Sequence, residues 1–173
     1  GIPLHETFFP ELLRLEAGYS TSLFGKVRAG RPETYLLHAH AFSISFAHTC
    51  PALLRQWHLG HYDRRYWPHA RGFDTSYGFF NGAIDHWRHT VGCATDWHRN
   101  DHSLSQQGHA TALIAKEVVD RISSASHESA QARHLFYVAF SAVHKPLQPP
   151  PSWRQAWPIN HSADRHMGGC GAK

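Results

Sequence analysis

The sequence lacks the cysteine pattern of a zinc site or of a disulfide-stapled domain. Its three cysteines, Cys50, Cys93 and Cys170, are far apart, and no Cys-x-x-Cys pair occurs. Long hydrophobic runs are absent too, because the most apolar window, residues 36–54, is interrupted by histidines, which argues against a membrane span. No signal peptide is recognisable. No basic run or RNA-reading motif occurs, so nothing indicates nucleic-acid binding.

The composition that remains is that of a globular protein. With 173 residues, 42% hydrophobic and 13% aromatic, the chain is long enough for one domain with a core. The formal charge is +4, and the 17 histidines would add positive charge in acid, which favours anionic partners weakly. Since the chain begins at Gly1 and its single methionine is Met167, we expect it to be an internal segment of a longer product.

The first part of the chain predicts a helix followed by a strand. Residues 7–17 suit a helix, with Thr7 as its N-cap, Pro10 in its first turn and Gly18 at its C-terminal left-handed position. Residues 19–26, YSTSLFGK, are rich in strand-forming residues and predict the strand that follows.

The second half repeats the helix and strand pattern. Residues 109–122 have apolar side chains at steps of three and four and predict an amphipathic helix. The unbroken apolar run 134–140 predicts a buried parallel strand. Residues 83–101 have no period, and we interpret them as irregular surface structure. Helices alternating with strands predict an α/β fold.

Residues 57–82, WHLGHYDRRYWPHARGFDTSYGFFNG, resemble the sulfatase family. That family has Gly-Lys-Trp-His-Leu-Gly, then an aromatic-Pro step and Arg-Gly-Phe-Asp. The resemblance extends to the PELL helix before Gly18, to the strand ending in Lys26, and to the later strand followed by VHKPLQ, residues 143–148, where the family often has Pro-His-x-Pro-Leu-Gln. It covers residues 1–26 and 57–153.

The resemblance implies part of a sulfatase domain in an alkaline-phosphatase-like α/β fold, with parallel strands and flanking helices. By this match Lys26 would bind sulfate, His58 would act on the nucleophile hydrate and help to expel sulfate, and His144 would bind sulfate or donate a proton to the leaving group. On the residues alone each could instead be structural. The substrate would be a sulfated glycan or an aryl sulfate, and the placement lysosomal or secreted.

The chain departs from the family between Lys26 and Trp57, which are adjacent there but are separated here by residues 27–56. This segment has no clear period, and an unpatterned loop of 30 residues is uncommon in a compact domain. We interpret it in one of two ways. It is either a retained intron, because the codons of its first and last residues are compatible with splice signals, or a natural surface insertion. Either origin separates Lys26 from His58.

Two features of the family are absent. The resemblance implies calcium and a formylglycine made from the cysteine of Cys-x-Pro-x-Arg, but neither that motif nor the calcium-binding aspartates occur. We therefore predict that this chain alone neither hydrolyses sulfate esters nor binds a metal at the family site. Residues 154–173 match nothing in the family and are predicted to be a disordered tail.

Four arginine, glycine, phenylalanine and aspartate positions, residues 71–74, and the pair Arg64 and Arg65 also lie within residues 57–82. Residues 71–74, RGFD, predict a loop clamp with an ion pair between Arg71 and Asp74 and a buried ring of Phe73. Arg64 and Arg65 could contact an acidic glycan, but paired arginines at a surface are usually only hydrated. His38 and His40 lack an identifiable third metal ligand.

Two rival functions stay open. One is a related phosphodiesterase of the alkaline phosphatase superfamily, and the other is a non-catalytic, His-rich protein that binds sulfated glycans.

Overall fold

The computed structural model of the chain describes residues 3–26, 44–46, 50–53 and 63–156. In chain order the helices and strands there are α1 (Phe9–Ala17), β1 (Tyr19–Lys26), β2 (Ile44–Phe46), β3 (Cys50–Leu53), β4 (Thr75–Phe79), β5 (Thr90–Val91), β6 (Ala94–Thr95), β7 (His98–Arg99), β8 (His102–Ser103), α2 (Ala110–Ala125), β9 (Arg133–Ala139) and α3 (Pro151–Ala156). Two 3-10 turns, Arg64–Tyr66 and Pro68–Arg71, precede β4.

A mixed sheet is the centre of the described structure, and its three middle strands are parallel. The strand order is β2-β3-β9-β1-β4-β7-β8. β1 lies between β9 and β4, with Gly25 opposite Ala139 on one side and Gly78 on the other. The predicted strands 19–26 and 134–140 are confirmed, and so is the predicted α/β fold with parallel strands.

The two predicted helices are present, but the cap of the first is different. α1 begins after Phe8, whose backbone N–H donates to the Glu11 carboxylate at 3.2 Å, so the prediction of Thr7 as N-cap is wrong. Glu11 satisfies the exposed N–H from inside the helix. Gly18 ends α1 in the left-handed conformation, φ 66°, as predicted. α2 runs from 110 to 125, slightly beyond the predicted helix.

Helices cover both faces of the sheet because successive strand residues point to opposite sides. On one face Leu23 and Tyr137 pack with side chains from α1. On the other face Phe24, Val138 and Ile114 pack in a second cluster. Among the helices in these ranges, none combines the length and apolar character needed to cross a bilayer.

Part of the segment 27–56 pairs with this sheet. β3 runs parallel to β9, with Ala52 opposite Phe136, and β2 pairs with β3 in antiparallel fashion. The interpretation of the whole segment as irregular is therefore wrong for these seven residues, 44–46 and 50–53. A period cannot be detected in strands of three and four residues. His38 and His40 lie outside the described residues.

The interpretation of residues 83–101 as surface structure is also wrong. Ile84 and Trp97 are fully buried there. The strands β5 and β6 form one hairpin, and β7 and β8 form another that extends the sheet beyond β4. Cys93 is disulfide-bonded, against the expectation that no disulfide is indicated. These strands are two residues long, too short to produce an alternating pattern.

The RGFD segment is a clamp, but with different partners from those predicted. Arg71 is 2% exposed; its Nε lies 3.2 Å from the Glu11 carboxylate, and it donates to the Glu6 carbonyl at 2.7 Å. Asp74 instead accepts from the backbone N–H of Thr21 at 2.8 Å. The predicted pair between Arg71 and Asp74 is wrong, whereas Phe73 is buried as predicted.

The helix at the end of the described chain corrects another expectation. α3 includes residues 154–156, which were predicted to belong to a disordered tail. Residues 157–173 lie outside the described ranges, so that prediction is untested for them.

Replacing Gly25 by Ala should disrupt the centre of the sheet. Gly25 has φ +104°, and a Cβ there would lie 2.1 Å from the Ala139 carbonyl oxygen. We expect the free energy of unfolding in urea to fall by at least about 3 kcal/mol. Gly92→Ala is the matched control, since φ is +58° but its Cβ meets open space; its cost should be about 1 kcal/mol. Equal costs would contradict the close approach of β1 and β9.

Removing the carboxylate opposite Arg71 should leave a buried positive charge uncompensated. Glu11→Ala is expected to lower the free energy of unfolding by about 2 kcal/mol. This loss is smaller than that for breaking a fully buried ion pair, because Glu11 is partly exposed. Glu16→Ala, on an exposed position of the same helix, should change it by less than about 0.5 kcal/mol. Denaturant melts of both variants measure the difference, and similar losses would show that helix propensity explains the effect.

Candidate functional site

Lys26 ends β1 at the carboxyl edge of the parallel strands. In register it lies beside Phe79, the last residue of β4, and its side chain is fully buried. Ligand sites of open α/β sheets lie outside this edge, so the predicted sulfate binder is at a suitable place in the fold. In this conformation the ammonium group lies within the protein and does not reach solvent.

A second polar group at this edge was missed from the sequence. Asp96 accepts hydrogen bonds from the backbone N–H groups of Phe80 at 2.9 Å and Asn81 at 2.8 Å, and it lies 3.2 Å from Nε2 of His98. Burial raises the pKa of the Asp96 carboxyl, but the hydrogen bonds from His98 and from the backbone outweigh it, so the pKa lies below the usual value. Asp96 therefore fixes the turn that follows β4 as a carboxylate.

His144 follows β9, the strand beside β1. Its backbone N–H donates to the Ser141 carbonyl at 2.6 Å, and its ring Nδ1 donates to the Lys145 carbonyl at 2.7 Å. A proton on Nδ1 leaves Nε2 as the acceptor of the neutral ring and as a donor only in the imidazolium form. The residue is exposed, so its ring is accessible from solvent.

His144 borders a cleft of about 470 Å³ between the start of α2 and residues 142–153. His86 and His109 also line it, and their rings stack with centroids 5.4 Å apart and planes 12° from parallel. Val143, Leu147 and Trp153 contribute apolar surface. A concave space of this size with few polar groups is typical of small-molecule sites.

Gln148 holds the cleft together through three hydrogen bonds, one each to Asp85, His86 and His109. Its side-chain carbonyl accepts from the His86 backbone N–H at 2.7 Å, and its amide donates to the Asp85 carboxylate at 2.9 Å. Its backbone carbonyl accepts from Nε2 of His109 at 3.0 Å, while the His86 carbonyl accepts from the N–H of Ala110 at 2.8 Å. Both missed histidines are thus positioned by the Gln of the Pro-Leu-Gln motif, which was the available signal.

The predicted site residues are not brought into one cavity. His144 lines the cleft, whereas Lys26 is not among the described residues that line it. His58 lies outside the described residues, so its position and role stay predictions. β1 and β9 are parallel neighbours in the sheet, so Lys26 at the end of β1 and the segment with His144 after β9 lie at the same edge of the sheet.

The described residues do not suit the metal and the nucleophile that the resemblance implies. Within residues 3–26, 44–46, 50–53 and 63–156 no group of three or more His, Cys, Asp or Glu side chains is placed to hold a metal ion. The carboxylates of Asp85 and Asp96 are used by N–H donors of the protein. Cys93 is disulfide-bonded and has no free thiol for conversion to formylglycine.

Comparisons with known proteins find a similar sequence among the arylsulfatases. No protein-family model matches the chain. The chain is 29% identical to arylsulfatase J of Mus musculus over 157 residues, which is 86% of this chain and 21% of the relative. The chain thus spans about a fifth of the length of this curated relative.

Solved structures show the same fold. The crystal structure of Ps i-CgsB matches with a TM-score of 0.66 at 21% identity, over 94% of this chain and 32% of that chain. Ps i-CgsB in complex with k-i-k-neocarrahexaose matches with a TM-score of 0.64 at 20% identity, with the same two coverages. At these identities the likeness concerns the fold.

Acid should weaken the fold through its buried histidines. Burial lowers the pKa of His86, His89 and His109, and the neighbouring imidazole of His109 lowers that of His86 further, although Asp85 opposes this. As pH falls below the ordinary histidine pKa of about 6.5, the unfolded chain takes up protons that the folded chain does not, so stability present near neutral pH is lost.

We expect the free energy of unfolding to decrease between about pH 7.5 and pH 5.5, by up to about 1.4 kcal/mol per pH unit for each such histidine. Urea melts at several pH values measure the slope. In His109→Phe, which keeps a ring but removes one titrating group, the slope should be shallower. An identical slope in the parent and in this variant would contradict the role of His109.

Proposed function

We propose that this chain, which is similar in sequence to an arylsulfatase, forms the part of an arylsulfatase-type sulfuric ester hydrolase that binds the sulfate and protonates the leaving group. The observation that carries this proposal is the register of β1 and β9, two parallel neighbours followed at one edge by Lys26 and by the segment with His144. The substrate is a sulfated glycan or an aryl sulfate.

Lys26 supplies positive charge to the sulfate group. A sulfate ester has three oxygens that share negative charge, and an ammonium group removed from water interacts with them more strongly than an exposed one. Lys26 is fully buried at the end of β1. By the family match, His58 would act on the nucleophile hydrate.

His144 supplies the proton for the leaving oxygen. When the sulfur–oxygen ester bond breaks, both electrons of that bond stay on the leaving oxygen, which becomes an alcohol by taking a proton. In the imidazolium form His144 carries this proton on Nε2, because Nδ1 is held by the Lys145 carbonyl at 2.7 Å. The ring is then neutral and must be protonated again before another cycle.

The chain by itself is not expected to complete the reaction. Sulfatases of this family use calcium and formylglycine, and the described residues offer neither the ligands nor a suitable cysteine. Cys93 is followed by Ala94 and Thr95 rather than by the Pro and Arg of the family motif. The nucleophile would come from another part of a complete enzyme.

Two observations support the substrate class and the placement. One relative is named an arylsulfatase, and one matching structure is a complex with k-i-k-neocarrahexaose, which supports an aryl sulfate or a sulfated glycan as the substrate class. The disulfide of Cys93 favours an oxidising compartment, in agreement with a lysosomal or secreted placement.

Binding without turnover is the second candidate function. The disulfide at Cys93 favours binding alone, because a disulfide-bonded cysteine is not available as the precursor of the nucleophile, and the chain has three cysteines. A protein that keeps a sulfate-binding lysine and the leaving-group histidine but lacks the nucleophile would bind sulfated molecules and release them unchanged. A related phosphodiesterase has no observation in its favour in the described residues.

The proposal is tested by sulfate binding and by turnover with the purified chain. Lys26→Met, which removes the charge and keeps the length, should weaken binding of inorganic sulfate in calorimetry roughly tenfold. Lys116→Met, at a lysine with an exposed side chain, should leave it unchanged. No 4-nitrophenol should be released from 4-nitrophenyl sulfate. Unchanged sulfate affinity in Lys26→Met would refute sulfate binding at this edge, and turnover would refute the need for another part.

A further inference from the structure

We propose that Asn81 deamidates in the folded chain, with the backbone nitrogen of Gly82 as the attacking group, and that the product loosens the turn after β4. Asn81 and Gly82 form a bend directly after Phe80, and both residues are partly exposed to solvent. The reaction needs water but no ligand, so it does not depend on the proposed function. It makes this turn a site of covalent modification at the sheet edge where Lys26 lies.

The reaction is a cyclisation followed by a hydrolysis. The Gly82 nitrogen loses its proton and bonds to the Cγ carbon of Asn81, while the bond between Cγ and Nδ2 breaks and ammonia leaves with that proton. One water molecule then opens the cyclic imide. Breaking the bond from nitrogen to Cγ gives aspartate, and breaking the bond from nitrogen to the backbone carbonyl carbon gives isoaspartate. In both products an uncharged amide has become a carboxylate.

Two properties of Gly82 favour the attack. It has no Cβ, so no side chain hinders the approach of its nitrogen to Asn81. Within the described ranges its backbone N–H makes no hydrogen bond, so none has to break at the attacking atom. The Asn81 amide does lie close enough to the Asp96 carboxylate to help lower its pKa, and it must leave this position before the ring closes. At a partly exposed bend such an opening is a local event.

Asn100, the other asparagine in the part of the chain that the structure describes, provides an internal comparison. Its side-chain oxygen accepts from the Ser76 N–H at 2.8 Å, and its own N–H donates to the Ser76 carbonyl at 2.8 Å. The residue after it is Asp101, whose side chain lies beside the nitrogen that would attack. Asn100 is thus held through side chain and backbone and is not followed by glycine, so we expect it to keep its amide.

Conversion of Asn81 removes support from Asp96. This carboxylate is 4% exposed and accepts from the backbone N–H groups of Asn81 at 2.8 Å and Phe80 at 2.9 Å. A carboxylate at position 81 replaces a neighbouring amide by a second negative charge, and like charges repel strongly in a poorly solvated place. The turn also fixes Phe80, whose ring packs on Trp67 with centroids 4.8 Å apart. The loss therefore extends to the contact between β4 and the 3-10 turns before it.

Peptide mapping tests the reaction. The purified chain is kept in mildly alkaline buffer, sampled over time and cleaved with trypsin, which releases Asn81 in the peptide 72–88 and Asn100 in the peptide 100–116. Mass spectrometry should show conversion of amide to acid about tenfold faster in the first peptide than in the second. In Gly82→Ala the conversion should slow about tenfold, because a Cβ then hinders the attack. Gly82 is not among the glycines with positive φ, so this variant should fold.

Asn81→Asp tests the consequence, since it introduces one of the products directly. At a fixed urea concentration its equilibrium constant for unfolding should exceed that of the parent about tenfold, from the lost amide and the repulsion. Asn100→Asp is the matched control, because an aspartate oxygen still accepts from the Ser76 N–H. Its constant should change by less than about twofold.

Four results would overturn the proposal. These are no conversion in the peptide 72–88, equal rates in the two peptides, an unchanged rate in Gly82→Ala, or Asn81→Asp as stable as the parent. The first would mean that the fold protects Asn81, and the last that its product does not loosen the turn. None of these measurements reads sulfate binding, so their failure is distinguishable from failure of the sulfate site at Lys26.

Discussion

The buried guanidinium group of Arg71 is the interaction on which the arrangement of the sheet depends. A charge that is 98% removed from solvent requires a fixed counterion, and the Glu11 carboxylate at 3.2 Å provides it. This contact attaches the segment before β4 to α1. The neighbouring Asp74 attaches the same segment to β1 through Thr21 at 2.8 Å. β4 therefore starts in register with β1, and the close approach of Gly25 and Gly78 follows from that register.

The register of the parallel strands in turn decides which side chains share an edge. Lys26 ends level with Phe79, and the turn after β4 is held there by the Asp96 carboxylate. On the other side of β1, β9 leads into the segment that carries His144. One edge thus collects a buried cation, a buried carboxylate and an exposed imidazole. Lys26 and Asp96 lie within the fold, whereas His144 lies at the surface.

The sequence predicted those features whose cause is local. An apolar run is sufficient to predict β9, and a glycine after an amphipathic stretch is sufficient to predict the end of α1. The partner of Arg71 was not predictable, because Glu11 is as acceptable a counterion as Asp74 and only the folded chain brings α1 to it. Burial of Trp97 was missed for a similar reason, since two-residue strands leave no period to detect. His144 was found through its motif, whereas His86 and His109 come together only through hydrogen bonds of Gln148.

The three imidazoles of the cleft differ in how far they are buried. Because burial lowers the pKa of His86 and His109, both stay uncharged near neutral pH and keep the walls of the cleft suited to an apolar group. His144, in contrast, is exposed. In acid the two buried rings would gain charge as well, and the fold would lose stability.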